Sequence, residues 1–192
     1  MLAPVSTVTE AVASALAGAG LVDVSGDDTL IVQIRDAVPE VGICGHGVGA
    51  DIVYDAALAA RTGAGLICRD PGTAASAVQR GIGQNRILIQ TAPGDVWTIS
   101  QSRWAALVDL DQGIADLGQG TEALARAEAL ARAEALARAE ALARAEAVAA
   151  VCAWAGAKVI RTRHVVEVRR CLDMTESIFG LRRPAWTLRG LA

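Results

Sequence analysis

The stretch KVIRTRHVVEVRRCLDM, residues 158–174, passes from a strand pattern to a helix pattern within seventeen residues. Its β-branched beginning predicts a short buried strand, and its second half predicts a helix. The strand ends in Arg161, Arg163 and His164. Arginine binds oxyanions through paired, charge-assisted hydrogen bonds. The stretch therefore predicts one strand–loop–helix unit whose polar end binds an anion.

The same strand–loop–helix pattern recurs upstream. Short apolar runs that end in polar, Gly or Pro residues begin at Leu21, Val41, Gly65, Arg86 and Ala106, and a weaker one begins at Ala3. Ala-rich segments of helical character separate them. Strands that alternate with helices predict an α/β protein with a parallel sheet buried on both faces. We therefore expect residues 1–192 to form a single domain, a small (β/α)8-type TIM barrel.

Seven strands leave such a barrel incomplete, and the segment DVWTIS, residues 95–100, is the candidate for an eighth. An open doubly wound sheet is the alternative architecture. No G-x-G-x-x-G motif follows a strand, which counts against a dinucleotide-binding fold.

Both architectures bind ligands at the carboxyl ends of their strands. Arg161, Arg163 and His164 are the predicted anion-binding residues. The polar residues at the other strand ends, Arg69 among them, are expected at the same mouth. Six of them are the candidates for the other side of a substrate or for a metal ion: Asp23, His46, Asp70, Gln90, Asp109 and Asp111.

The composition excludes several classes of partner. The net charge is −3, and Lys158 is the only lysine, so neither nucleic acid nor an anionic membrane is an expected partner. The four cysteines lack the spacing of a zinc site. The N-terminus has no secretory pattern, and no apolar run approaches the length of a spanning helix. A cytoplasmic protein is expected.

One interval, before the last strand, is twice as long as the others. It contains EALARA in four identical copies, from Glu122 to Ala145, within a segment 122–147 that we interpret as an inserted helix. Six residues rotate a helix by about 240°, so the leucines spiral around it and form no coiled-coil seam. A self-supporting rod without catalytic chemistry is predicted. Glu and Arg recur four residues apart, at spacings that favour ion pairs, as in Glu140 and Arg144.

The C-terminal forty residues resemble the last unit of dihydropteroate synthase, a folate-pathway enzyme. The resemblance rests on AVCAWAGAKVIRTRHVVEVRRCLDM and on the closing RRPAWTLRGLA. Weaker likeness extends upstream through AVASALAGAGLVDVSGDD, then IRDAVPEVGICGHGVGADIVYDAALAARTGAGLICRD, and AVQRGIGQNRILIQTAPGD. The resemblance implies a (β/α)8 barrel that binds a pterin, uses Mg2+ with a pyrophosphate ester, and forms a homodimer.

Many family residues are replaced at the matching positions. Arg161 matches the family's anion-binding arginine, whereas Arg163 and His164 stand in place of its His and Asp. His46 and Gln90 stand where the family has aspartates, and the strand-seven lysine has no counterpart. Two functions follow as alternatives: a dihydropteroate synthase-like transferase with impaired or lost catalysis, and a non-catalytic barrel that binds a pterin or a phosphorylated molecule. The identical repeats leave a third reading open, an engineered barrel core with a rigid helix.

Overall fold

Eight short parallel strands, each paired with its neighbours in sequence, close into a barrel in the computed structural model of the protein. The structure describes residues 1–24, 28–111 and 126–182, with side chains in the last range from residue 136 onward. The strands are β1 Leu2–Val5, β2 Leu21–Val24, β3 Gly42–Gly45, β4 Ile52–Val53, β5 Gly65–Cys68, β6 Ile87–Thr91, β7 Ala105–Asp109 and β8 Val159–Arg161. Pairing of Leu2 with Arg161 closes the ring. The predicted barrel is confirmed, and the open sheet is wrong.

Helices cover the outside of the barrel. Those in the described ranges are α1 Val8–Leu16, α2 Asp28–Ala37, α3 Ala56–Thr62, α4 Pro71–Gln79, α5 Val96–Gln101, α6 Arg126–Trp154 and α7 Val165–Ile178. Side chains that accept backbone N–H groups begin three of them, namely Thr7, Asp55 and Asp70. Within these ranges, no helix combines the length and the apolar character that crossing a membrane requires.

The strands separate two apolar clusters because successive side chains point to opposite faces. Leu2, Cys44, Ile67 and Leu107 form a buried cluster inside the barrel. They come from the four odd-numbered strands, which is the layered packing expected of an eight-stranded barrel. The larger cluster lies between the strands and the helices.

Two sequence predictions about the eighth strand are wrong. The segment DVWTIS forms α5, in which Val96 and Ile99 are buried on one face. The missing strand is β4, which lies inside ADIVYDAALAARTGAG, residues 50–65, one of the Ala-rich segments interpreted as of helical character. A two-residue strand is too short to show a period-2 pattern, so the neighbouring Ala-rich helix dominated the prediction.

A loop of six residues joins β3 to β4, where a parallel pair normally has a helical crossover. Asp51 holds it in place: its carboxylate accepts the Ile43 N–H at 2.7 Å and pairs with Arg35 at 2.9 Å. Gly47 presses against α2, where a Cβ would stand 1.8 Å from an oxygen of Asp28. A side chain at that glycine would therefore require the end of the Asp28 side chain to move.

The repeat segment forms part of α6, which runs without a break to Trp154. Residues 122–125 lie outside the described residues, as do the first three predicted Glu–Arg pairs, because the side chains before residue 136 are not described. Residues 136–140 are exposed, as a self-supporting rod requires. Ala145, Ala149 and Cys152 are buried against the barrel, so the last repeat is already docked.

Candidate functional site

The carboxyl ends of the strands bring several polar side chains into the barrel mouth. Asp23 is the next-to-last residue of β2 and lies on the inner face, Asp109 ends β7, and Arg161 ends β8. Asp23 and Asp109 are only 5% and 7% exposed. Charged groups this deeply buried require partners. These three residues are far apart in the sequence, and each has its charged partner among the other two.

Arg161 lies between the two carboxylates. Its Nε and Nη2 are 3.0 and 2.9 Å from Oδ2 of Asp23. Its Nη1 donates to Oδ2 of Asp109 at 2.5 Å. Burial lowers the pKa of the guanidinium, but the hydrogen bond and charge of Asp109 and the charge of Asp23 outweigh it and raise that pKa. Arg161 is therefore a permanent cation that two carboxylates already neutralise.

A tyrosine and a thiol complete this network, and the sequence interpretation assigned neither of them to the site. The Tyr54 hydroxyl donates to Oδ1 of Asp23 at 3.0 Å, and burial raises the tyrosine pKa. Burial also raises the pKa of the Cys44 thiol to about 12. Cys44 is therefore a neutral packing group at neutral pH. His46 stacks on the Tyr54 ring with centroids 4.9 Å apart, which places this predicted residue at the edge of the network.

An open cavity of about 790 Å³ lies above β5, β6 and β7. Gln90 and Asp109 contribute its polar floor, and Arg69 and Arg144 its cations. Backbone and apolar groups form the remaining walls: Thr91, Ala92, Pro93, Leu110, Ala145 and Val148. A volume of this size accommodates a bicyclic ring with a substituent. The sequence placed Arg69, Gln90 and Asp109 near one another, and the structure brings them together.

Arg144 is the cavity residue that the sequence interpretation missed. It belongs to the last EALARA copy, which was predicted to carry no chemistry. The predicted ion pair with Glu140 does not form; in the described part of the chain no ion pair joins these two residues. The guanidinium instead lines the cavity. Nothing in a uniform repeat distinguishes one copy from another, so only the docking of α6 selects this arginine.

A smaller cavity of about 150 Å³ lies inside the barrel, lined by Tyr54, Ile67, Gln90, Leu107 and Arg161. Gln90 lines both cavities and therefore separates the mouth from the interior. Its amide both donates and accepts hydrogen bonds. The side chain is thus placed to recognise a polar edge of a ligand in the mouth.

The other predicted anion-binding residues lie at the margin of the mouth. The Arg163 side chain is 78% exposed, and its Nε is 3.7 Å from Oδ2 of Asp111. The Arg163 N–H also donates to Oδ1 of Asp111 at 3.3 Å. His164 is the residue before α7, and its N–H donates to Oγ1 of Thr162 at 3.0 Å. None of these residues lines either cavity.

Asp70 has a structural partner of its own. Its carboxylate accepts the Thr73 N–H at 2.8 Å and the Thr73 hydroxyl at 2.7 Å. These bonds lower the Asp70 pKa, the hydroxyl more than the amide. Asp70 thus caps α4 on the surface, beside the cavity rather than in its lining.

The residues at the mouth do not fit a magnesium ion. Within the described ranges, no group of three His, Cys, Asp or Glu side chains is arranged to hold a metal. Oδ2 of Asp23 and Oδ2 of Asp109 both face Arg161. A divalent cation there would have to displace a buried guanidinium. We derive no chemical step through a metal.

Comparison with known proteins finds similarity in structure but not in sequence. No family model matches the chain, and no curated protein matches it. The structure of Rv1207 from Mycobacterium tuberculosis is similar with a TM-score of 0.68 and 23% identity, over 95% of this chain and 93% of that one.

Two dihydropteroate synthases give comparable values. The Yersinia pestis enzyme has a TM-score of 0.66 and 15% identity, over 94% of this chain and 93% of the other. The Coxiella burnetii enzyme in complex with pteroic acid has a TM-score of 0.63 and 12% identity, over 94% of each chain. At such low sequence identities, the structural similarity shows a shared fold and nothing more. The chain therefore has the eight-stranded barrel fold of the dihydropteroate synthases.

Proposed function

We propose that this protein is a dihydropteroate synthase-like barrel that binds a pterin-like molecule in its mouth and has impaired or lost transferase catalysis. The observation that carries the proposal is the cavity of about 790 Å³ with Gln90 and Asp109 on its floor. A pterin presents a flat ring with adjacent N–H donors and acceptors at one edge. The amide and the carboxylate match those groups, and the apolar walls match the ring faces.

We expect reduced catalysis because of the position of Lys158 and the ion pairs of Arg161. In the family that the sequence resembles, a lysine after the seventh strand and an arginine on the eighth face the substrate. The only lysine here, Lys158, precedes β8 and so lies at the opposite end of the barrel from the mouth. Arg161 is held by two carboxylates. A leaving pyrophosphate would compete with Asp23 and Asp109 for that guanidinium, which weakens transition-state stabilisation.

The test is calorimetric titration with 6-hydroxymethyl-7,8-dihydropterin pyrophosphate, with and without Mg2+, followed by a turnover assay with p-aminobenzoate. Wild type is compared with Gln90→Leu, which removes the polar floor of the cavity at similar volume. We expect binding that weakens about tenfold in the variant, since a lost hydrogen bond in a ligand site costs about 1.4 kcal/mol.

The outcomes test the two parts of the proposal, which are binding of a pterin-like ligand and impaired or lost catalysis. Binding without product supports both halves. Rapid formation of dihydropteroate contradicts the loss of catalysis, and a Mg2+ requirement would contradict the conclusion that the described residues of the mouth do not fit that ion. Absence of binding in both proteins overturns the ligand. Arg163→Ala is included in the series, because Arg163 and His164 remain predicted anion ligands.

A further inference from the structure

The helix that carries the repeats contributes directly to the mouth of the barrel. Ala145, Ala149 and Cys152 are buried at spacings of four and three residues, so they form one helix face against the barrel. Val148 lies next to that face and lines the cavity together with Arg144. The register of α6 therefore places one arginine of the repeat at the cavity rim, while the earlier described residues of the repeat, 136–140, remain exposed.

The second cation comes from the end of a barrel strand. Arg69 follows β5 directly and lines the same cavity as Arg144. Both side chains belong to exposed residues, and no ion pair involves either of them in the part of the chain that the structure describes. The carboxylate nearest in sequence to Arg69 is Asp70, which is engaged by Thr73. Both guanidinium groups thus remain available to a ligand.

The carboxylate of Asp109 does not neutralise Arg69 and Arg144. Among the described residues that line the cavity, Asp109 is the acidic one, and its carboxylate is paired with Arg161. Within this described part of the lining, Arg69 and Arg144 are therefore two cations beside a carboxylate that is already neutralised. A cleft lined by one sign of charge concentrates counter-ions, and arginine binds carboxylate and phosphate in the same forked geometry.

We propose that Arg69 and Arg144 together form a clamp for an oxyanion, a carboxylate or a phosphate, carried by the ligand of the mouth. This inference rests on the proposed function, because the ring of that ligand occupies the floor at Gln90. The acidic group then points toward α6 and β5. Arg163, which follows β8, pairs with Asp111 and lies outside the cavity lining, so the clamp does not include it.

The experiment compares three probes by calorimetric titration: neutral 6-hydroxymethylpterin, pterin-6-carboxylate and the pyrophosphate ester of 6-hydroxymethylpterin. Wild type is compared with Arg163→Ala, Arg69→Ala, Arg144→Ala and Arg138→Ala. The last is the matched control, since Arg138 holds the same place in the preceding repeat and does not line the cavity. Alanine keeps the helix propensity of α6 high in both repeat variants.

We expect wild type to bind at least one acidic probe about tenfold more tightly than the neutral one. Arg69→Ala and Arg144→Ala each abolish most of that preference, while Arg138→Ala retains it and all variants bind the neutral probe equally. The preference also falls as NaCl rises, because exposed charges are screened. The better of the two acidic probes distinguishes carboxylate from phosphate.

The two proposals fail in different ways. If the neutral pterin does not bind to wild type, the proposed function fails. If it binds but the acidic probes gain nothing, or if Arg138→Ala loses the preference as fully as Arg144→Ala does, the clamp is wrong. If Arg163→Ala alone removes the preference, the oxyanion lies at β8 and the clamp is likewise wrong.

Discussion

Arg161 Nε donates to Oδ2 of Asp23 at 3.0 Å across 138 residues of sequence. The bond ties the last strand of the barrel to the second, past β1, which lies between them. The same guanidinium contacts Asp109 on β7. One side chain thus connects three strands around the point where the barrel closes.

Replacement of Arg161 is expected to destabilise the barrel strongly. Arg161→Met leaves two buried carboxylates without their cation, and we expect a loss of about 3 kcal/mol in the free energy of unfolding. Urea titration followed by tryptophan fluorescence measures it. The control is Arg35→Met, which breaks the exposed pair with Asp51 and should cost less than about 1 kcal/mol.

A second variant distinguishes the two possible causes of that loss of stability, unpaired buried charge and lost packing. Arg161→Met combined with Asp23→Asn and Asp109→Asn contains no unpaired buried charge, so it should recover part of the lost stability. A triple variant that is less stable than Arg161→Met would show that the charges are not the cause.

Alkaline pH is expected to destabilise the fold through Cys44. Its pKa is about 12 in the folded protein, whereas an unfolded thiol titrates near ~8.5. Between these values the folded state binds more protons than the unfolded state, so stability is complete below about pH 8.5 and falls as pH rises toward 12.

Cys44→Ala should therefore lose stability less steeply than wild type between pH 8.5 and 10.5. The difference in slope is at most about 1.4 kcal/mol per pH unit, which is the value for one proton. Urea midpoints at four pH values measure it. Equal slopes in both proteins would contradict the assignment. Tyr54→Phe checks the tyrosine, whose raised pKa acts in the same direction.

Asp70 is expected to stabilise α4 rather than to bind a ligand. Asp70→Ala removes a helix cap and should lower the midpoint of thermal unfolding, whereas Asp70→Ser keeps an acceptor and should lower it much less. Thermal unfolding compares them. Affinity for the pterin probes should be the same in both variants. A loss of binding in Asp70→Ser would restore this carboxylate to the ligand site.

The docked face of α6 is expected to be sensitive to volume. Ala149 is fully buried, so Ala149→Leu forces extra atoms into a packed layer and should cost about 2 kcal/mol. Ala147 is exposed, and Ala147→Leu should change stability by less than about 0.5 kcal/mol. Chemical denaturation measures both. Equal effects would mean that this part of α6 is not docked.

Much of the architecture could be predicted from local patterns. Apolar runs with polar ends identified β2, β3, β5, β6, β7 and β8, and the weaker candidate proved to be β1. The strand β4 escaped detection because two residues carry no periodic signal. The segment DVWTIS was misassigned because β-branched residues in a six-residue helix resemble a strand, although Val96 and Ile99 are buried three residues apart, as on one helix face.

The candidate site was predictable only as a list of strand ends. Gln90, Asp109 and Arg69 were placed together because parallel strands in a barrel share one carboxyl edge. Tyr54 and Arg144 were missed for different reasons. Tyr54 follows the undetected strand, and Arg144 has the same local sequence as the arginines of the other repeats.

The sequence by itself determined the α/β class, seven of the eight strands in their order, the helical character of the described part of the repeat and several of the polar residues at the barrel mouth. These depend on local patterning, which a single segment expresses. Only the tertiary structure decided that Arg161 is neutralised by Asp23 and Asp109, and that Arg144 faces the cavity. Both facts depend on how the barrel closes and on the register in which α6 packs. Pairings between distant segments are fixed by packing and desolvation, which no local pattern contains.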